Sequence, residues 1–225
     1  GVILISPKTQ ELKKILPVLN SKKIPSVCIN HNGTDCGISS VMSDNATCFE
    51  KFLYHCLNRL DIKKIAYLGN SPERYDQKQR LDTYTGFIRQ NNLQCDKNSI
   101  LTTDTSDSKV TKWLSKIFTS AYRPDLLISG SIPHAQTVLA WCTEQKISIA
   151  IDFYLAAFDD PGYYSVISPS ITCIQQDLNQ LGKKAAEVLM RIITEKHRKV
   201  YTEIIPMKIS FRESTDNKYL IKESA

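Results

Sequence analysis

Among the 225 residues no apolar run approaches the roughly 20 consecutive apolar positions that a membrane-spanning helix needs. The start, Gly1-Val-Ile-Leu-Ile, has no basic segment ahead of it, so it reads as a core strand rather than a secretion signal. No G-x-S-x-G, Gly-rich phosphate loop or H-E-x-x-H is present, which removes the usual signatures of hydrolase, nucleotide-binding and metalloprotease chemistry. The four histidines, His31, His55, His134 and His197, are far apart and form no H-x-x-x-H pair, so neither a metal site nor a cofactor is expected. A long basic arm is also missing. The formal charge of +6 comes from scattered Lys and Arg, which argues against this stretch gripping nucleic acid by itself.

The composition is that of an ordinary globular chain, 42% hydrophobic and 23% charged, long enough for one large domain or two small ones. Seven cysteines form an odd set without a C-x-x-C pair: Cys28, Cys36, Cys48, Cys56, Cys95, Cys142 and Cys173. This suits reduced, partly buried thiols and a cytoplasmic location better than a disulfide framework. The abrupt start in a strand suggests a fragment of a longer chain.

Strand and helix patterns alternate from end to end. Val2 to Ile5 reads as a strand, and Leu12, Ile15, Leu16 and Leu19 follow at helical spacing. Strands are expected at Val27 to Asn30 and Ile38 to Ser43, and a helix opening at Asp44-Asn45 carries Phe49, Phe52, Leu53, Cys56, Leu57 and Leu60 on one face. Ile65 to Gly69 is the next strand. Helices follow at Arg80 to Gln90, Val110 to Phe118 and Ala135 to Gln145, with a strand at Leu126 to Ser129. Leu178 to Ile192 is strongly amphipathic, and Met207, Ile209 and Phe211 alternate with polar residues as a half-exposed strand does. The residues from Ser214 to Ala225 look loosely held. Such alternation implies an α/β fold in which parallel sheets carry helices on both faces.

The stretch Asp152 to Gln176 carries the main hint of chemistry. Its apolar run, Tyr154 to Phe158, ends at Asp159-Asp160-Pro161-Gly162, so two carboxylates sit at the end of a buried strand. Ligands of open α/β sheets bind outside the carboxyl ends of the strands, where an ionised Asp can orient hydroxyl groups. The same two acids serve equally well as turn builders before Pro-Gly.

Several segments then share one register with a known family. Lys64-Ile-Ala-Tyr-Leu-Gly69, Arg80-Leu-Asp-Thr-Tyr84, Arg123-Pro-Asp125, Ala157-Phe-Asp-Asp160 and Ser168 to Gln176 follow one another in order. Leu181-Gly182 with Ala185-Ala186, Phe211 to Ser214 and, upstream, Val41 to Asn45 complete the set. Together they resemble the effector-binding core of the lactose-repressor/galactose-repressor (LacI/GalR) family of bacterial transcription regulators. The resemblance implies two doubly wound parallel-sheet subdomains of the periplasmic-binding-protein-like type, with an interlobe ligand cleft. It implies residues 1–60 plus 176–199 in the first subdomain and 61–175 plus 200–225 in the second. It further implies a longer gene product with a helix-turn-helix headpiece, operator DNA bound only through that headpiece, a homodimer, and no membrane association.

By the same resemblance the effector, a sugar or sugar derivative, meets Arg80 and Asp159, with Asp44, Gln176, Ser131 and Ser6 beside it. A planar guanidinium can donate paired hydrogen bonds to hydroxyls, and a carboxylate accepts from them. Asp44 can instead cap the following helix. Three departures stand out: Ser131-Ile132 where the family commonly has Asn-Asp, Thr83 for a helix glycine, and Ala157 for a glycine before the acids. The first changes the polar groups offered to a ligand. A secreted sugar-binding protein of a transport system would share the fold, but the unpaired cysteines argue against it. An enzyme built on the Asp159/Asp160 pair is disfavoured because adjacent strand residues point to opposite faces.

Overall fold

The computed structural model describes residues 1–104, 107–195 and 199–216. In chain order the elements begin β1 (Val2–Ile5), α1 (Thr9–Ser21), β2 (Ser26–Ile29), β3 (Ser39–Ser43), α2 (Asn45–Arg59), β4 (Ile65–Gly69) and α3 (Tyr75–Gln90). They continue β5 (Ile100–Thr102), α4 (Asp107–Phe118), β6 (Leu126–Ser129), α5 (Ile132–Gln145), β7 (Tyr154–Phe158) and β8 (Thr172–Gln175). The last are α6 (Leu178–Glu195), β9 (Thr202–Ile205) and β10 (Lys208–Ser210). The chain forms two units. Unit 1 holds Gly1–Asn45, Pro72–Gln79 and Gln176–Met207, and unit 2 holds Ala46–Ser71, Arg80–Gln175 and the chain from Lys208 onward.

Unit 1 is built on a parallel sheet in the order β1-β2-β3-β9. Strand β2 shows why helices cover both faces. Val27 and Ile29 point to one side and pack with Val41 against Leu181, Ala185 and Val188 of α6, whereas Cys28 points to the other and packs against Leu12 and Leu19 of α1. A strand buried on both faces reads as a continuous apolar run, as Ser26–Ile29 does.

Unit 2 has six strands in the order β10-β8-β7-β6-β4-β5, all parallel except β10, which runs antiparallel to β8. Ala66, Leu68, Leu127, Leu155 and Ala157 pack against Val110, Leu114 and Ile117 of α4 and Val138 and Trp141 of α5. The alternate strand residues carry an aromatic layer. Phe49 of α2 lies 5.0 Å edge-on from Phe158, and Tyr67 lies 5.3 Å from Tyr84 of α3, ring centre to ring centre.

Several expected boundaries move. The apolar face of α2 packs on Tyr67 and Phe158, so residues 46–60 belong with unit 2 rather than with the first subdomain. Strand β9 pairs with β3, so residues 200–207 belong with unit 1. The helices α3, α4 and α5 start earlier than expected, at Tyr75, Asp107 and Ile132; the first turns of α3 and α4 are mostly polar and carry no apolar periodicity, and α5 opens on Ile132-Pro133 behind its Ser131 cap. The short strands β5, β8 and β9 had no clear pattern of their own.

The end of the described chain is firmly held, contrary to the expectation for residues from Ser214. Ser214 is fully buried, its Oγ donates to the Leu155 carbonyl (2.6 Å) and accepts from the Thr172 N–H (2.8 Å), and its own N–H donates to the Ser170 carbonyl. Residues 217–225 lie outside the described residues. One hydroxyl thus ties the last turn to β7 and β8. Ser214→Ala leaves the Thr172 N–H buried without an acceptor, and should lower stability by about 1–3 kcal/mol in urea unfolding with an unchanged denaturant slope.

Candidate functional site

In unit 2 the carboxyl ends of β4, β6 and β7 bring the expected residues to one edge. Arg80, in the second turn of α3, is fully buried, with its guanidinium 3.9 Å over the centre of the Phe158 ring and Nη1 donating to the Gly130 carbonyl at 3.1 Å. Sequence reading had placed Phe158 only in the strand core, but it also forms the platform for this cation. Gly130 allows the close approach: a Cβ there would lie 3.0 Å from the Gly69 Cα and 3.2 Å from the Leu68 carbonyl oxygen.

Asp159 follows β7 directly. Its φ of 64° is left-handed, a conformation Asp tolerates better than most residues, and its N–H donates to the Ile174 carbonyl at 2.9 Å. Asp160 plays a different part. Its carboxylate accepts from the Gly162 N–H at 2.8 Å and the Gln175 amide at 3.2 Å, and it pairs with Arg212 in a largely buried ion pair. The adjacent acids therefore divide: Asp160 is committed to the turn and to the returning chain. Ser131 is the N-cap of α5, its hydroxyl accepting from the His134 N–H at 3.5 Å.

In unit 1 the corresponding edge is formed by Ser6, Asn30 and Asp44. Ser6 ends β1 with φ 41°, and its N–H donates to the Ile29 carbonyl at 2.8 Å. The Asp44 N–H donates to the Ile205 carbonyl at 2.9 Å, which places Asp44 at the end of β3 immediately before α2. The Gln176 Oε1 accepts from Asn30 Nδ2 (2.6 Å) and Ser43 Oγ (2.9 Å), while Asn30 Oδ1 accepts from the Ser43 N–H (3.0 Å). Gln176 thus pins the ends of β2 and β3 together, and both lone pairs of its carbonyl are already used.

Three buried residues near this edge carried no sequence signal: His31, Asp76 and Gln77. Burial pushes the His31 imidazole below its ordinary pKa, which keeps it neutral. Several buried thiols are held protonated. Burial pushes Cys142 and Cys173 up to about 12 and Cys28 up to about 11, and all seven cysteines are free. A cavity of about 690 Å³ opens at the amino-terminal ends of β2 and β3, lined by Leu19, Ile24, Ser26, Ser39, Ile192 and Lys199, and none of the six expected site residues lines it. Among the described residues no group of His, Cys, Asp and Glu is placed to hold a metal ion.

Breaking a buried ion pair leaves an uncompensated charge, so Asp160→Asn should cost about 3 kcal/mol in chemical unfolding by stranding Arg212.

Residues 55–215 match a family described as periplasmic binding protein-like domain. The chain is 22% identical over 218 residues to catabolite control protein A of Staphylococcus xylosus, an alignment covering 96% of this chain and 64% of that protein. It therefore spans a little under two thirds of that relative. Among solved structures, the transcription regulator CcpA of Lactococcus lactis superposes with a TM-score of 0.82 at 18% identity, over 96% of this chain and 78% of that one. A LacI family transcriptional regulator from Enterococcus faecium with bound ribose gives a TM-score of 0.80 at 16% identity, over 96% and 79%. These similar proteins include transcription regulators, and the matched family spans most of the chain: this protein belongs to the periplasmic binding protein-like domain family.

Proposed function

We propose that the chain is the ligand-sensing core of a DNA-binding transcription regulator, and that it binds a small hydroxyl-rich effector through side chains at the carboxyl edges of its sheets. The observation that carries this reading is the buried Arg80 guanidinium, stacked on Phe158 and oriented by the Gly130 carbonyl, beside the strand end that presents Asp159. A fixed planar donor next to a carboxylate acceptor matches neighbouring hydroxyls of a sugar. The ribose-bound Enterococcus faecium regulator of similar fold supports a sugar as the effector class.

In this reading Arg80, Asp159, Asp44 and Ser6 contact the effector. Ser131 contributes its capped helix end, and Gln176 holds the edge of unit 1 in place. Operator DNA is contacted by a helix-turn-helix headpiece of the whole protein, which acts as a homodimer because such headpieces read paired half-sites about one helical turn apart. The effector changes operator affinity to the extent that it binds one conformational state better than another.

A thermal-shift screen of the full-length protein against sugars, sugar phosphates, sugar acids and nucleosides tests this. A true effector at about 100 times its Kd adds roughly 2.7 kcal/mol of stability, and Asp159→Asn should remove that shift. Arg80→Ala should remove it too, at a cost in stability from the vacated buried site. A shift that survives both substitutions would place the effector elsewhere.

A further inference from the structure

The edge of unit 1 contains a cluster of buried acceptors that no fold requirement explains. His31, Asp76 and Gln77 are 4%, 6% and 5% exposed. The His31 Nδ1 lies 3.0 Å from the Asn32 carbonyl oxygen, which can only accept, so Nδ1 carries the proton and Nε2 is left as an acceptor. That Nε2 is buried and has no hydrogen-bond partner. The Gln77 amide turns its NH2 to Asp76 Oδ2 at 2.9 Å, which leaves Gln77 Oε1 facing no donor, and Asp76 Oδ1 has none either. Asp76 and His31 are near enough to interact electrostatically, and the His31 ring lies 5.8 Å from that of Tyr75, the residue before Asp76.

The placement is built rather than incidental. Asn30, in the left-handed conformation at φ 53°, turns the chain at the end of β2, and its side chain is held by Ser43 and Gln176, so the position of His31 is set by the same network that joins the strand ends. Asp76 lies in the first turn of α3, where the helix dipole favours a carboxylate. That accounts for a negative charge at this position but supplies no donor to Oδ1. Unpaired buried acceptors are costly, so three of them grouped at a strand edge call for an explanation.

We infer that this cluster recognises a protonated amine, and that the effector is an amino sugar rather than a neutral one, its ammonium group held by His31 Nε2, Asp76 Oδ1 and Gln77 Oε1. A hydroxyl offers one proton, whereas an ammonium offers three, one for each open acceptor, and carries the charge that offsets the Asp76 carboxylate. A metal ion fits the set less well, because only His31 and Asp76 are of the residue types that bind one firmly. The inference rests on the effector-sensing reading above and assigns its ligand class.

Calorimetric titration of the full-length protein with glucosamine, galactosamine and mannosamine, each beside its neutral parent sugar and its N-acetyl derivative, tests it. The expected result is that one amine binds at least about tenfold more tightly than both its parent and its N-acetyl form, the step between a charge-assisted and a neutral hydrogen bond. Asp76→Asn, which keeps size and shape, should bring that ratio to near one. Equal binding of amine and parent, or a preference that survives Asp76→Asn, overturns the amine assignment and leaves the effector reading standing. If no amine or parent binds, the assignment to amino sugars falls, and the wider ligand screen decides the effector reading separately.

Discussion

A parallel sheet covered by helices on both faces leaves only its two ends for chemistry, and the rest of this structure follows from that constraint. The helices α1 and α6 close the faces of the sheet in unit 1, and in unit 2 α4 and α5 close one face while α2 and α3 supply aromatic rings to the other. At the carboxyl ends the backbone must leave the extended conformation at once if a side chain is to be presented there. It does so with left-handed residues after β1, β2 and β7, namely Ser6, Asn30 and Asp159. These are short polar side chains of the kind that visit this region without a glycine, and each adds a group that can bond to something beyond the sheet. Left-handed backbone and outward polar groups therefore sit at the same positions.

Edges formed this way have to be held, and each unit does it differently. In unit 1, neutral amides and a hydroxyl interlock: Asn30, Ser43 and Gln176 join the ends of β2 and β3 without any charge. In unit 2 the work falls to the returning chain. Arg212 pairs with Asp160 and also donates to the Ile171 carbonyl, while Ser214 bridges β7 and β8. The sequence pattern Arg212-Glu-Ser214 thereby acquires a physical meaning, because each polar residue in it closes a hydrogen bond that the sheet cannot close itself.

How much of this was legible beforehand depended on burial pattern. Strands buried on both faces, such as Ile65 to Gly69 and Tyr154 to Phe158, announce themselves as unbroken apolar runs, and α2 and α6 as apolar stripes at helical spacing. The helix starts were not legible, since Tyr75 to Gln79 and Asp107 to Lys109 are polar first turns. Unit membership was not legible either: that α2 packs on the second sheet and β9 pairs in the first depends on long-range pairing, which local periodicity does not encode. The two acids after β7 were visible, but the commitment of Asp160 to the turn and to the returning chain needed the positions of Arg212 and Gly162. His31, Asp76 and Gln77 had no pattern at all, because a buried polar residue in a loop or a helix start looks like an exposed one until the chain is folded.

The burial of Arg80 shows why the fold and the site cannot be separated. Removing a guanidinium from water is expensive, and the Phe158 ring and the Gly130 carbonyl are among the groups that offset that cost. Lysine would not serve in its place: an ammonium has no planar face to lie on the ring, and it sheds its hydration less readily. The ring and the carbonyl do fix the guanidinium plane, and a donor whose orientation is already set loses little freedom when it makes a further hydrogen bond. The close packing of Gly130 against Gly69 and Leu68 is then part of the same device, since it holds in place the carbonyl that aims Arg80.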